Sequence, residues 1–123
     1  MADLNGTWLG TYWQDNNPTR FEITLLHSGN SLSGSILDDS YLGEARVSGE
    51  VIGRQIIFTK RYLTSSPHPV NYVGTVSEDE DHIRGQWTLG GFTGPWEARR
   101  GGEFLSLSTE NKIERKSLLS IGK

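Results

Sequence analysis

Apolar and polar residues alternate with a period of two along most of residues 6–100, the pattern of strands that bury one face. Gly6 to Gln14 places Trp8 and Tyr12 on one side. Arg20 to His27 sets Phe21, Ile23 and Leu25 against Arg20, Glu22 and Thr24. Ser31 to Asp38 aligns Leu32, Gly34 and Ile36, and Glu44 to Ile52 aligns Ala45, Val47, Gly49 and Val51. Gln55 to Leu63 aligns Ile56, Phe58, Lys60 and Tyr62. Val70 to Val76, His82 to Leu89 and Gly94 to Arg100 complete eight predicted strands. Turn chemistry separates them at Asp15-Asn16-Asn17-Pro18, Ser28-Gly29-Asn30, Gly53-Arg54 and the acidic stretch Glu78 to Asp81. The longest connection, Thr64 to Pro69, carries two prolines.

Short turns between consecutive strands predict an all-β fold, an eight-stranded antiparallel up-and-down meander. Closing such a meander into a barrel removes its unpaired edges. Four strands also carry an apolar-x-Gly-x-apolar pattern, centred on Gly34, Gly49, Gly74 and Gly85. Glycine within a strand weakens it, so its repetition on the inward face predicts tight coiling and close backbone approach. No helical period precedes residue 105. Residues 1–104 are expected to form the barrel domain, and residues 105–123 a short polar tail, flexible or a short helix.

At 123 residues the chain has the length of one domain. It has no cysteine, which excludes disulfides and thiolate metal sites. The start, Met1-Ala2-Asp3-Leu4-Asn5-Gly6, lacks the basic and apolar runs of a signal peptide, and no stretch reaches membrane-spanning length. The expected location is cytoplasmic. A formal net charge of −3 argues against a nucleic-acid partner.

Several residues in register resemble the avidins and, more broadly, the calycin barrels, which include the lipocalins and fatty-acid-binding proteins. They are Gly6-Thr7-Trp8, Phe21, Ser31-Leu32-Ser33-Gly34-Ser35, Tyr72-x-Gly74, Ile83-Arg84-Gly85-Gln86-Trp87-Thr88-Leu89 and Pro95-Trp96-Glu97. The resemblance implies a closed barrel end at which a late basic residue, Arg99 or Arg100, stacks on Trp8. Arg99 is assigned with Trp8 to that end. For biotin the match is poor. Gly10, Gln14, Ile36 and Asp38 stand where an avidin places ureido-binding groups, and Lys60 and Tyr72 replace two tryptophans. Tight biotin binding is therefore not expected.

Alternation places Tyr12, Gln14, Asp38, Lys60, Tyr62, Tyr72 and Trp87 inside, towards one end. A lysine in phase with Phe58 and Tyr62 needs a partner if buried; Asp38 or Asp39 can supply it. Lys60 reads either as a polar anchor for an anionic or carbonyl ligand or as a rim lysine that reaches water. Trp87 and Tyr72 read as an aromatic wall or as core filling. His27, His68 and His82 have no metal-ligand spacing, and the sequence holds no nucleophile elbow, phosphate loop or metal motif. No cofactor is expected. Outward Leu9, Trp13 and Ile57 suggest a homodimer or larger assembly through outer strand faces.

The leading expectation is a non-catalytic barrel that binds a small hydrophobic or amphipathic ligand, lined by Tyr12, Asp38, Lys60, Tyr62, Tyr72 and Trp87. One alternative is a small isomerase or lyase using Lys60 or Asp38. The other is a plugged barrel that works through its outer face.

Overall fold

The computed structural model describes residues 3–40, 42–64 and 68–101. Eight strands follow in chain order: β1 (Gly6–Gln14), β2 (Asn17–Ser28), β3 (Ser31–Asp38), β4 (Glu44–Ile52), β5 (Gln55–Tyr62), β6 (Val70–Val76), β7 (His82–Leu89) and β8 (Phe92–Arg100). Each pairs antiparallel with the next, and β8 returns to β1, closing the barrel. The tail expected at 105–123, like the domain limit at residue 104, lies outside the described residues. Among the described residues no helix is long and apolar enough to cross a membrane.

The strand limits differ from the sequence pattern mainly at β2. The turn before it is only Asp15-Asn16, so Asn17 and Pro18 already pair with Gln14 and Trp13. Both turn residues have positive φ, 52° and 70°, which Asp and Asn tolerate better than other non-glycine residues. That backbone matches the right-handed twist of the flanking strands. Gln14 is exposed. Alternation pointed it inward, but it sits beside the hairpin, beyond the closed part of the barrel.

The repeated glycines mark close approach of neighbouring backbones. A Cβ on Gly49 would collide with the Ile57 carbonyl oxygen, and one on Gly85 with that of Val73. Gly85 lies opposite Gly74, so two strands meet there without side chains between them. This lets a narrow barrel coil sharply.

The interior divides along the barrel axis. One half is largely aliphatic, with Leu4, Leu25, Leu32, Val51, Ile56, Val76 and Ile83 buried around Trp8. Trp8 is fully buried, and its indole Nε1 donates to the Leu4 carbonyl at 3.0 Å. Arg100, the register partner of Trp8, lays its guanidinium over the indole 4.4 Å from the ring centroid. The same guanidinium donates to the carbonyls of Asp3 (2.6 Å), Asn5 (3.1 Å) and Glu80 (2.9 Å). It thus binds the segment before β1 and the β6–β7 turn across this end.

Arg99, assigned to this role from sequence, is exposed and points outward. The reason is parity: Trp96 and Ala98 are buried, so Arg100 rather than Arg99 continues the inward face. Trp8→Ala should cost about 3–5 kcal/mol in chemical denaturation as a large core truncation. Arg100→Ala should cost about 1.5–3 kcal/mol through its charged hydrogen bonds, whereas Arg99→Ala should stay within about 0.5 kcal/mol. Equal effects of the two arginine variants would contradict this closure.

Candidate functional site

The opposite half of the interior is aromatic and polar. Tyr12 comes from the second half of β1, and Asp38 is the last residue of β3. β5 brings Lys60 and Tyr62, two residues apart and therefore on one face; β6 supplies Tyr72 and β7 Trp87. The register aligns these positions. Tyr72 lies opposite both Phe58 and Trp87, and Asp38 opposite Phe21.

Lys60 and Asp38 form a buried ion pair. The Lys60 ammonium donates to both carboxylate oxygens at 2.9 Å, and both side chains have no solvent exposure. Tyr12 and Tyr62 also donate to Asp38 Oδ2, at 3.0 and 2.5 Å. Lys60 reaches the Tyr72 hydroxyl at 3.4 Å. The ammonium lies 4.7 Å from the ring centroids of Tyr12 and Tyr62 and 5.6 Å from that of Tyr72. Lys60 thus sits in a cage of three tyrosine rings with a carboxylate as counter-ion, a setting that favours its charge. The rim-lysine reading is therefore corrected: strand β5 carries Lys60 too deep for its head to reach water. Asp38 is buried with it, and Asp39, exposed, is not the partner.

Burial and charge act against each other here. Desolvation pushes Lys60 below its ordinary value of 10.5, and the Asp38 charge and hydrogen bonds oppose that shift. Tyr12, Tyr62 and Tyr72 are all raised, first by burial and then by interactions with Asp38. All three therefore remain neutral hydroxyls at ordinary pH. Tyr62 is only half-buried, which makes it the member of the network nearest to solvent.

Trp87 is buried and meets Tyr12 edge-on, with ring centroids 6.5 Å apart. Its Nε1 donates to the Trp13 carbonyl at 2.9 Å. Tyr72 stacks on Phe58 at 4.8 Å, and Trp96 packs edge-on against both. Trp96, in the Pro95-Trp96-Glu97 stretch that resembles the last avidin strand, points inward in phase with Ala98. The six predicted lining residues therefore share one end of the barrel. Lys60, Asp38, Tyr12 and Tyr62 form one hydrogen-bonded unit, Tyr72 touches it, and Trp87 flanks it through Tyr12.

No family model matches the chain, and no curated protein matches it. Solved structures do. A de novo designed fluorescence-activating β-barrel is 18% identical with a TM-score of 0.59, over 78% of this chain and 92% of its own. A redesigned β-barrel is 12% identical with a TM-score of 0.64, over 79% and 90%. Another, mFAP1 bound to DFHBI, is 12% identical with a TM-score of 0.63, over 79% and 94%. At this identity the likeness shows the fold alone.

Asp38→Asn tests the electrostatics of the cluster. Removing the carboxylate leaves burial as the principal influence on Lys60, so its pKa should fall further below the ordinary lysine range. Side-chain nitrogen NMR against pH reads this directly. Between the depressed value and 10.5 the unfolded chain holds a proton that the folded chain has released. Lys60 therefore makes folding more favourable as pH rises through that window, and the contribution is lost as pH falls through the folded value. An unchanged Lys60 titration in Asp38→Asn would contradict the pairing.

Proposed function

We propose that this protein is a small-molecule-binding barrel of the calycin type whose ligand enters at the Tyr62 end. The observation that carries this reading is the buried Lys60–Asp38 pair inside its tyrosine cage. Such a pair is a poor device for stability alone, because well-packed apolar replacements are often neutral or more stable. It is a good device for recognition. It holds a fixed donor and acceptor set among the buried aromatic rings at one end of the barrel, where a ligand's polar group would be desolvated on arrival.

The pairing also sets the ligand class. Asp38 neutralises the lysine, so the site offers no net charge to an acid. A neutral polar head, such as a carbonyl, hydroxyl or amide on a hydrophobic body, suits it better than a carboxylate. In this reading the half-buried Tyr62 yields its hydrogen bond on Asp38 Oδ2 to a ligand donor, while Trp87 and Tyr72 flank the hydrophobic body. Two solved barrels of the same fold support the reading by their own properties: one is fluorescence-activating, and the other is bound to DFHBI. Arg100 over Trp8 supports the calycin type, since it matches the closed end that the resemblance implies.

The enzyme alternative draws on the lowered Lys60 pKa. Both carboxylate oxygens hold that ammonium, however, and a base needs its lone pair free. We also propose a cytoplasmic location, which the absence of cysteine supports.

Assembly through an outer face is proposed as well. Ile57 and Val73, opposite each other in β5 and β6, are 52% and 46% exposed. The hydrogen-bonded pairs Gln55–Thr75 and Thr59–Asn71 flank them. Leu9 and Trp13, the other outward apolar residues expected to contribute, are half-buried on β1. Sedimentation should show a dimer that Ile57→Lys dissociates; a wild-type monomer at high concentration would refute it.

Tryptophan fluorescence tests the binding reading. Aliphatic and aromatic amphiphiles with neutral heads should quench saturably, and matched acids should bind more weakly. Tyr62→Phe should alter the affinity for donor-bearing heads, because it removes the most accessible of the three donors on Asp38 Oδ2. If no amphiphile quenches or raises the melting temperature, the interior works only as core, and the plugged-barrel reading prevails.

A further inference from the structure

A groove lies on the outside of the barrel, away from the tyrosine cage. It has a volume of about 630 Å³, runs over the outer surface of β1, β7 and β8 and extends to Arg20 on β2. That volume is within the usual range for small-molecule sites, about 300–1,000 Å³. Its floor includes the backbone of Gly10 and Ala98, which are register partners.

The walls are cationic. Arg20, Arg84 and Arg99 come from three different strands and border the same groove, against the single carboxylate of Glu97. The register orders them: Arg20 faces Thr11, Thr11 faces Glu97, and Glu97 faces Arg84, with Arg99 one row along beside Leu9. Arg84 approaches Glu97 only at 3.8 Å, with both side chains largely exposed. Exposed pairs of this kind hold little energy and yield easily to a better partner. The guanidinium groups of Arg20 and Arg99 make no hydrogen bond or ion pair with any described residue. This cluster stands on a chain whose formal net charge is −3.

We propose that this groove binds a small polyanion of the phosphate or polycarboxylate kind. Arg20 and Arg99 supply the free guanidinium forks, Arg84 exchanges Glu97 for the ligand, and the Thr11 hydroxyl is the neutral donor. Planar forks suit the oxygens of either anion class, in two-point contacts a lysine ammonium cannot make. Leu9 gives the groove an apolar patch for the carbon skeleton of an organic anion. The groove is separate from the tyrosine cage, so the proposal stands whether or not the barrel interior takes a ligand.

Amide NMR titrations with inorganic pyrophosphate and with citrate, at constant ionic strength, test the proposal. Saturable shifts should concentrate on residues 9–11, 83–84 and 97–99. Arg20→Ala and Arg99→Ala should each weaken binding on the order of tenfold, the loss of a charge-assisted contact. Arg61→Ala is the control: it removes an exposed guanidinium on β5 outside the groove and should change nothing. Stronger binding of one probe assigns the anion class. Shifts scattered over all arginines, equal weakening by Arg61→Ala, or no saturation with either probe would overturn the site.

Discussion

A lysine ammonium and an aspartate carboxylate, both removed from water in the upper half of a narrow barrel, constrain everything near them. Neither charge is tolerable there alone. Asp38 must therefore end β3 at the height where Lys60 projects from β5, and further donors must share the carboxylate with the ammonium. Tyr12 and Tyr62 do so, and every buried side-chain polar atom of the described residues has a partner. The aromatic rings around Lys60 serve two purposes at once, as hydrophobic filling and as a favourable face for the cation.

The two ends of the barrel divide the work. At the Trp8 end, aliphatic packing and the Arg100 hydrogen bonds secure the N-terminal segment and the β6–β7 turn. The other end combines buried aromatic packing with the polar cluster around Asp38. The close-packed glycines of the neighbouring strands narrow the barrel, which brings β1, β3 and β5 near enough for a single carboxylate to bond side chains from the other two.

Much of this was legible in the chain because strand alternation has a strict period. Five of the eight strands, β1, β3, β4, β6 and β7, have the limits that the pattern predicts. The same parity brought Tyr12, Asp38, Lys60, Tyr62, Tyr72 and Trp87 to one end. What parity alone could not supply is depth along the axis. It placed Gln14 and Lys60 on the same face, yet Gln14 lies beside the exposed hairpin while Lys60 is fully buried. The stagger of neighbouring strands decides such differences, and it depends on turn lengths such as the two-residue Asp15-Asn16 turn. The choice of Arg100 over Arg99 was available from the phase of Trp96 and Ala98. The outer groove was not, since it needs residues from four strands to meet on one surface.

A double-mutant cycle in chemical denaturation separates a Lys60–Asp38 pair that serves recognition from one on which the fold depends. Lys60→Met and Asp38→Asn should each cost about 3–5 kcal/mol, because each strands a buried group whose partner has gone. The double variant, which keeps an acceptor for the tyrosine hydroxyls, should return to within about 1 kcal/mol of the natural protein or exceed it. A double variant that loses the sum of the two single costs, or does not fold, would show that the barrel itself depends on the pair.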